Sequence, residues 1–441
     1  MMRWVLFVLL WLPCSLLSAE DAPAATARLA HANDGLPVLF AGAVRFRWRL
    51  PGDDAATVRV QNPGQDTVVT AEGVATEIRL TVPHGAALEL MATSAFIPPP
   101  LPGFGAVYGT VWPVAIDADG QQALEAGVMD FQARWVGLRN RFYTVLLSDI
   151  VAGQLVVDLD RDNEPRLLII PMPGESSISF RLYAGPVELA ALRAADPVLA
   201  GMLFAALWDW LRWLCFGMLW LLTLLHAVVG NLGLSIILLS IAVKILMMPL
   251  TRMADRLQTS VNSTTALLHP ELAEIKRDFK GEEAHERTLA VYKKHGVHPL
   301  YTIKSLAGFL IQIPVFIAAF DMLGENFALH EASFLWIADL ARPDQWLALP
   351  LTLPFFGGHL NLLPCLMTAF TLLTSWLQQE DTLTDELIRQ QRMRLFWMAG
   401  LFFLLFYTFP AGMVLYWTTN NVLALVKLLP RLRGKSVAAS S

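Results

Sequence analysis

Residues 231–250 read NLGLSIILLSIAVKILMMPL, a run dominated by Ile, Leu, Val and Met in which Lys244 is the one charge. At 1.5 Å per residue a helix of this length measures about 30 Å, the thickness of a bilayer's hydrocarbon core. The stretch is a membrane span, and its lysine needs a reason. A charge within such a helix costs roughly 2.5–3.5 kcal/mol by insertion scales. One reading is a snorkelling side chain, because Lys244 lies about six residues, or ~9 Å, from the nearer end of the run. The other places Lys244 in a water-containing cavity with Ser240, one helical turn away on the same face.

The rest of the chain agrees with a membrane setting. Of its 441 residues 55% are apolar and 16% charged, where soluble domains carry roughly a quarter charged residues. One compact globule is excluded by length and by charge. Residues 1–199 hold 14 basic and 21 acidic groups, residues 200–441 hold 19 and 17, and all eight lysines fall in the second part. Four more apolar stretches, about 300–323, 360–377, 394–410 and 411–429, are near spanning length. Another, within 200–229, contains Asp209, Arg212 and four tryptophans, Trp208, Trp210, Trp213 and Trp220, and reads as an amphipathic interfacial helix.

Loop charge orients the spans. The 251–298 loop carries eight basic residues, whereas 324–348 carries only Arg342 among four acids. The positive-inside rule therefore places 251–298, the 378–394 loop with Arg389, Arg392 and Arg394, and the basic tail 431–441 in the cytoplasm. Helical patterning on both sides of Lys280-Gly281 makes 251–298 a cytoplasmic helical hairpin.

Residues 20–196 are soluble in composition and fall outside. Val44, Phe46, Trp48 and Leu50 alternate with arginines, and Ile78, Leu80 and Val82 alternate with Glu77, Arg79 and Thr81. Further strands are expected near 154–159, 166–170 and 177–183, separated by Pro/Gly turns at 98–109 and 171–174, which together predict an antiparallel β-sandwich. The apolar run before Ala19, with Arg3 ahead of it, reads as a signal peptide or a first transmembrane segment over 1–19. The fold class is an α-helical polytopic membrane protein with a five-span core, plus an extracytoplasmic antiparallel β-sandwich.

Polar residues on other spans are candidates to line the same cavity as Lys244 and Ser240. They are Gln312, Thr408, Thr418, Thr419, Asn420 and Asn421. Taken singly, each also suits an interhelical hydrogen bond. One cation among neutral donors suits a transient acidic or polar polypeptide better than a proton relay, which needs chains of carboxylates or histidines. Cys14, Cys215 and Cys365 sit apart in apolar runs and offer neither a disulfide framework nor a metal site. His295 and His298 lack a third ligand. No nucleophile elbow, zinc-protease helix, Walker loop or paired carboxylate stands in a usable context, so neither an enzyme nor a cofactor is expected.

Residues 230–251, with Gly230-Asn231-Leu232-Gly233 leading to Lys244 and Pro249-Leu250-Thr251, then 309–316 around Gln312-Ile313-Pro314, then 409–417 ending Leu415-Tyr416-Trp417, closely resemble the YidC/Oxa1/Alb3 membrane protein insertases. Within the outer domain, 135–143 and 183–186 look like recurring segments of the periplasmic β-sandwich of bacterial YidC proteins. The resemblance implies a core 230–430 enclosing a hydrophilic groove that is open to cytoplasm and lipid, in the bacterial inner membrane. Lys244, Ser240, Gln312, Thr408, Tyr416, Trp417, Thr418 and Asn421 would line that groove and receive the polar segments of nascent membrane proteins. It implies the lipid bilayer as surroundings and no nucleic-acid role. It leaves open whether the Sec translocon, the ribosome or signal recognition particle components take part. Three departures stand out: Lys244 in place of the family's usual arginine, an outer domain shorter than in enteric relatives, and His298-Pro299 in place of Asn-Pro. A transporter or channel for a small anion, using Lys244 as its binding charge, is the rival reading. A third is a membrane-anchored sandwich binding a periplasmic ligand.

Overall fold

The computed structural model describes 25–31, 37–41, 44–49, 69–71, 76–81 and 87–92, then 96–438 apart from 126, 130–132, 151–152, 160–164, 172–173, 175–176, 299, 302–306 and 378–384. The 1–19 segment, Pro299 and residues 378–384 of the 378–394 loop therefore lie outside the described residues. The chain divides into two units, one of strands and one of helices.

The strand unit holds two antiparallel sheets. In the first the order is β4 (Val69–Ala71), β1 (Ala25–His31), β2 (Pro37–Ala41), β3 (Val44–Arg49), β6 (Ala87–Ala92), β13 (Pro165–Pro171), β12 (Gly153–Leu159), β9 (Gly127–Met129). In the second it is β5 (Thr76–Thr81), β14 (Ser177–Pro186), β11 (Tyr143–Ser148), β10 (Trp135–Arg139), β7 (Trp112–Asp117), β8 (Gly120–Ala123). The alternating runs around Phe46 and Ile78 form β3 and β5. Trp135, Phe180, Leu182 and Tyr183 are buried in the second sheet, and each large apolar side chain so buried contributes about 1.5–3 kcal/mol. Their polar atoms are matched. Tyr183 Oη donates to the Pro186 carbonyl at 2.8 Å, and Trp135 Nε1 donates to Asp196 Oδ2 at 3.0 Å.

The unit ends with α1 (Leu189–Ala195) and a 3-10 turn, Pro197–Met202, whose N-cap is Asp196. Asp196 accepts from Val198 N at 3.1 Å and meets Arg134 at 2.8 Å. Burial alone would raise its carboxyl, but the bonds from Trp135 and Val198 and the charges of Arg134 and Arg181 outweigh burial and hold it below the usual carboxylate range.

Residues 100–108, expected as a turn between strands of the outer domain, group with the helical unit instead. The physical reason is local. The proline run 98–100 with Pro102 supplies no backbone donors for a ladder, and 103–109 form a 3-10 helix that packs on residues near 355 and 408.

The helical unit comprises α2 (Asp209–Val229), α3 (Leu232–Leu246), α4 (Met248–Asp278), α5 (Gly281–Lys294), α6 (Ala307–Glu325), α7 (Leu362–Leu377), α8 (Asp385–Phe406) and α9 (Ala411–Ala438). A two-stranded ribbon, β15 (Leu347–Leu353) and β16 (Gly357–Leu360), precedes α7. The stretch expected to lie at the interface forms α2, which among the described residues is the one single helix long and apolar enough to cross a membrane. The 231–250 run is not one straight helix. It bends by 58° where α3 meets α4, at Pro249 in the first turn of α4, a position that tolerates proline. The break at Lys280-Gly281 separates α4 from α5, with Gly281 at φ 66°. The hairpin's arms are joined at Glu271, which meets Lys294 Nζ at 3.0 Å and His295 Nε2 at 2.8 Å. These two partners, His295 first, hold the Glu271 carboxyl below its ordinary range.

Candidate functional site

Helix α3 starts on a capped end. Asn231 is extended, at φ −137°, and its side-chain oxygen accepts from Leu234 N at 3.0 Å. From there the helix presents Ser240 and Lys244 on one face to α9. The Ser240 hydroxyl donates toward the Ile236 carbonyl at 3.1 Å and the Tyr416 carbonyl at 3.2 Å. The Lys244 ammonium donates to the Asn420 carbonyl at 2.9 Å. Both cross-helix contacts join residues 176 apart. A constant offset over one turn means that α3 and α9 run parallel and in register. Ser240 is fully buried, Lys244 is half-buried, and among the described residues no carboxylate pairs with the ammonium.

Lys244 also lies in the last turn of α3, nearer a helix end than the straight 231–250 run suggested. A cation in the last turn of a helix is favoured by about 0.3–1 kcal/mol. An ammonium has three donors, and the Asn420 carbonyl takes one. The remaining capacity can meet a carbonyl or carboxylate of another chain.

The other predicted residues divide among separate tasks. Tyr416 is buried, and its carbonyl receives both Ser240 Oγ and Asn420 Nδ2, the latter at 3.1 Å. Thr418 donates back to Val414 O at 2.7 Å, within its own helix. Asn421 ties α9 to α7 through Thr371 Oγ1 at 2.7 Å and Met367 O at 3.3 Å. Trp417 stacks on Phe402 and Phe406 at 5.7 and 5.8 Å and meets Phe316 edge-on at 5.0 Å, so it belongs to an aromatic cluster joining α6, α8 and α9. Gln312 is exposed on α6. Thr408 is buried between α8 and α9 and accepts from Gly105 N at 3.0 Å. Thr408 precedes α9, whose first residue, Ala411, lies about 14 Å along the helix axis from Asn420. The structure thus joins Ser240 and Lys244 by hydrogen bonds to the Tyr416 and Asn420 carbonyls, and among the described residues no such bond ties Gln312, Thr408 or Trp417 to them.

Residues 224–431 match the family described as 60Kd inner membrane protein. Similar chains include "Membrane protein insertase YidC" of Syntrophobacter fumaroxidans, 30% identical over 66% of this chain and 52% of that one. The protein of the same name in Helicobacter pylori is 32% identical over 66% of this chain and 48% of that one. Over 224–431 the chain is similar to the YidC proteins. It spans about half the length of the YidC relatives it matches. A solved structure titled "Active YidC insertase crystal structure with the first transmembrane domain resolved" is 18% identical, with a TM-score of 0.38 over 98% of this chain and 99% of that one. The match over 224–431 takes in α3 to α8, α9 as far as residue 431, and every candidate groove residue selected above. This is a membrane protein.

At the opposite end of the helical unit from Lys244 lies a polar network that the sequence did not single out. Asp344 Oδ2 accepts from Trp336 Nε1 at 3.1 Å and from Leu363 N at 2.8 Å. Burial pushes the Asp344 carboxyl up, and these donors offset part of that. Asn361 Nδ2 donates to Tyr407 O at 2.6 Å, and Tyr407 Oη donates to His359 O at 3.1 Å. The first amides of α9, Ala411 N and Gly412 N, bond the carbonyls of Arg342 and Leu340 at 2.7 and 2.8 Å. The loop thereby satisfies donors that a helix start otherwise leaves free. Asp344 stands out only as the last charge before an uncharged run and Asn361 as a polar residue within it, and nothing local in sequence pairs them with 336, 363 or 407.

Proposed function

We propose that this chain is a membrane protein insertase, which receives the polar segment of a nascent membrane protein at Lys244 and releases its apolar span into lipid. The observation that carries the reading is the family match over 224–431, which includes the α3/α9 seam holding Lys244. Insertion needs no covalent step. A polar stretch crossing bare hydrocarbon must shed its water, and a hydrophilic groove with donors shortens that dry path. Burial of the substrate's apolar span, at about 25 cal/mol per Å², then draws it away.

In this reading the core has five spans, the strand unit lies in the periplasm, and the α4/α5 hairpin and the tail lie in the cytoplasm. The parallel course of α3 and α9 supports this, since it puts the hairpin and the tail on the same side, as the Lys/Arg distribution does. Lysine in place of arginine keeps the charge and gives up the planar fork, so contact with a substrate carboxylate is less geometrically defined. The Sec translocon, the ribosome and signal recognition particle components are candidate partners. An anion transporter built on Lys244 has less support, because the similar chains are named as membrane protein insertases.

Depleting the protein and surveying newly made inner-membrane proteins tests the proposal. A subset should fail to insert, and unchanged insertion across the whole set would count against it.

A further inference from the structure

Between Asp344 and Glu380 the chain contains no Asp, Glu, Lys or Arg. The first part of this run folds as the β15/β16 ribbon and the second as α7. A ribbon with one face in water would alternate polar and apolar residues. Instead β15 reads Leu-Ala-Leu-Pro-Leu-Thr-Leu over 347–353, and every residue but Leu349 is exposed. Leu351 is 66% exposed, Leu347 51% and the adjoining Trp346 50%. Leu335 and Trp336, in the loop before the ribbon, are exposed as well.

Helix length says what meets this surface. The 16 residues of α7 rise about 24 Å, some 6 Å less than the ~30 Å core. With Leu377 at one hydrocarbon boundary, Leu362 falls inside the other. The ribbon leads into Leu362 after a single residue, so it stands at the depth of headgroups and upper acyl chains. Its open edges exclude the hydrocarbon centre. Pro350 within β15 and Pro354 in the turn present no N–H to satisfy there.

The ribbon is also held in place. A Cβ on Gly357 would stand 2.8 Å from Pro102 Cγ, and one on Gly103 would stand 2.7 Å from the Phe355 carbonyl oxygen, so only glycine lets these segments close up. Phe355 meets Phe104 edge-on at 5.1 Å, and Phe356 meets Tyr407 at 5.0 Å.

We propose that Leu347–Leu360, with Trp336 and Trp346, is a lipid-docking element lying in the bilayer interface, where it completes the short outer end of α7. The absence of charge across the run and its continuity with a span select lipid over a protein partner. The inference needs α7 to cross the membrane, as the functional reading has it, and does not need the chain to insert other proteins.

The test uses the full chain with its three cysteines changed to alanine and single cysteines placed by Leu351→Cys, Leu347→Cys, Glu331→Cys or Leu373→Cys. Each is labelled with an environment-sensitive nitrobenzoxadiazole probe and reconstituted into phosphatidylethanolamine and phosphatidylglycerol vesicles. Brominated lipid and aqueous iodide serve as quenchers. Probes at 347 and 351 should emit to the blue of the probe at 331 and lose intensity to bromine placed high on the acyl chain. The probe at 331 should respond to iodide, and that at 373 to deep bromine. Quenching at 347 and 351 by iodide alone overturns the proposal. Protection from both quenchers means a protein covers the ribbon and overturns it too. If 373 also escapes bromine, the span fails along with the docking element; if 373 is quenched, only the docking element fails.

Discussion

Changing Gly233 to alanine sets two effects of known size against each other. Alanine favours a helix over glycine by up to ~1 kcal/mol, and less in a first turn, where Gly233 lies. Against this, the new Cβ would stand 2.0 Å from Phe334 Cγ, 2.2 Å from Cδ2 and 2.6 Å from Phe334 Cβ. Rotating the ring gives no escape, because the Phe334 Cβ is itself in the way. The loop backbone would have to move, and it is fixed by Phe334 N to Ile337 O at 2.9 Å and Ile337 N to Phe334 O at 2.8 Å. Overpacking of this kind costs about 1–3 kcal/mol, and ejecting the phenylalanine forfeits a similar amount of burial. The clash wins, for a net loss of about 1–2 kcal/mol. Gly217→Ala and Gly400→Ala are the controls, since nothing lies within 4 Å of a Cβ at either site. Thermal unfolding of the purified protein in detergent, followed by tryptophan fluorescence, should show a lower midpoint for Gly233→Ala and an equal or higher one for both controls. A Gly233→Ala midpoint at or above the parent's would refute the reasoning.

Three further outcomes are expected. Asp278→Cys, at an exposed position in the last turn of α4, should be labelled by an impermeant thiol reagent only after the cytoplasmic side is opened; labelling of intact spheroplasts from outside would reverse the topology. Replacing 256–294 by a short Gly/Ser bridge should leave a folded membrane protein that inserts substrates poorly, and full activity in vesicles would remove the hairpin from the account. Asp196→Asn should destabilise the strand unit in a pH-dependent way. The folded-state pKa of Asp196 is lowered, so its contribution is present above the unfolded value of about 4 and is lost as pH falls through the folded value. The gap between parent and variant in denaturant unfolding should be full near neutral pH and close in acid; a gap that widens in acid would show the sign to be wrong.

Period-two alternation was enough to find β3 and β5, because one face of each strand must match a neighbour in a sheet. The apolar runs likewise mark α3, α6, α7 and α9, and Gly281 marks the hairpin break. What periodicity misses is what depends on partners distant in sequence. Nothing near Pro100 says that 100–108 packs with helices, since the decisive contacts are with 355 and 408. Nothing near Met247 shows a 58° bend rather than a continuous span, beyond the single Pro249. In the site, residue type identified polar positions but not their tasks. Asn421 serves α7 and Thr418 its own helix, while the oxygen that holds Lys244 is a backbone carbonyl, which no side-chain pattern reveals.

The central claim is that Lys244 receives the polar part of a substrate, and protease-protected insertion into vesicles reconstituted with the purified protein tests it most directly. Two substrates are compared, one with an acidic translocated segment and one with that segment neutralised, at matched amounts of parent, Lys244→Leu and Lys244→Arg. Lys244→Leu should impair insertion, most of all for the acidic substrate, while Lys244→Arg should retain or improve it through the two-pronged donor arginine offers a carboxylate. Insertion of both substrates by Lys244→Leu at the parent's level would contradict the claim and leave the lysine a snorkelling residue at the end of α3.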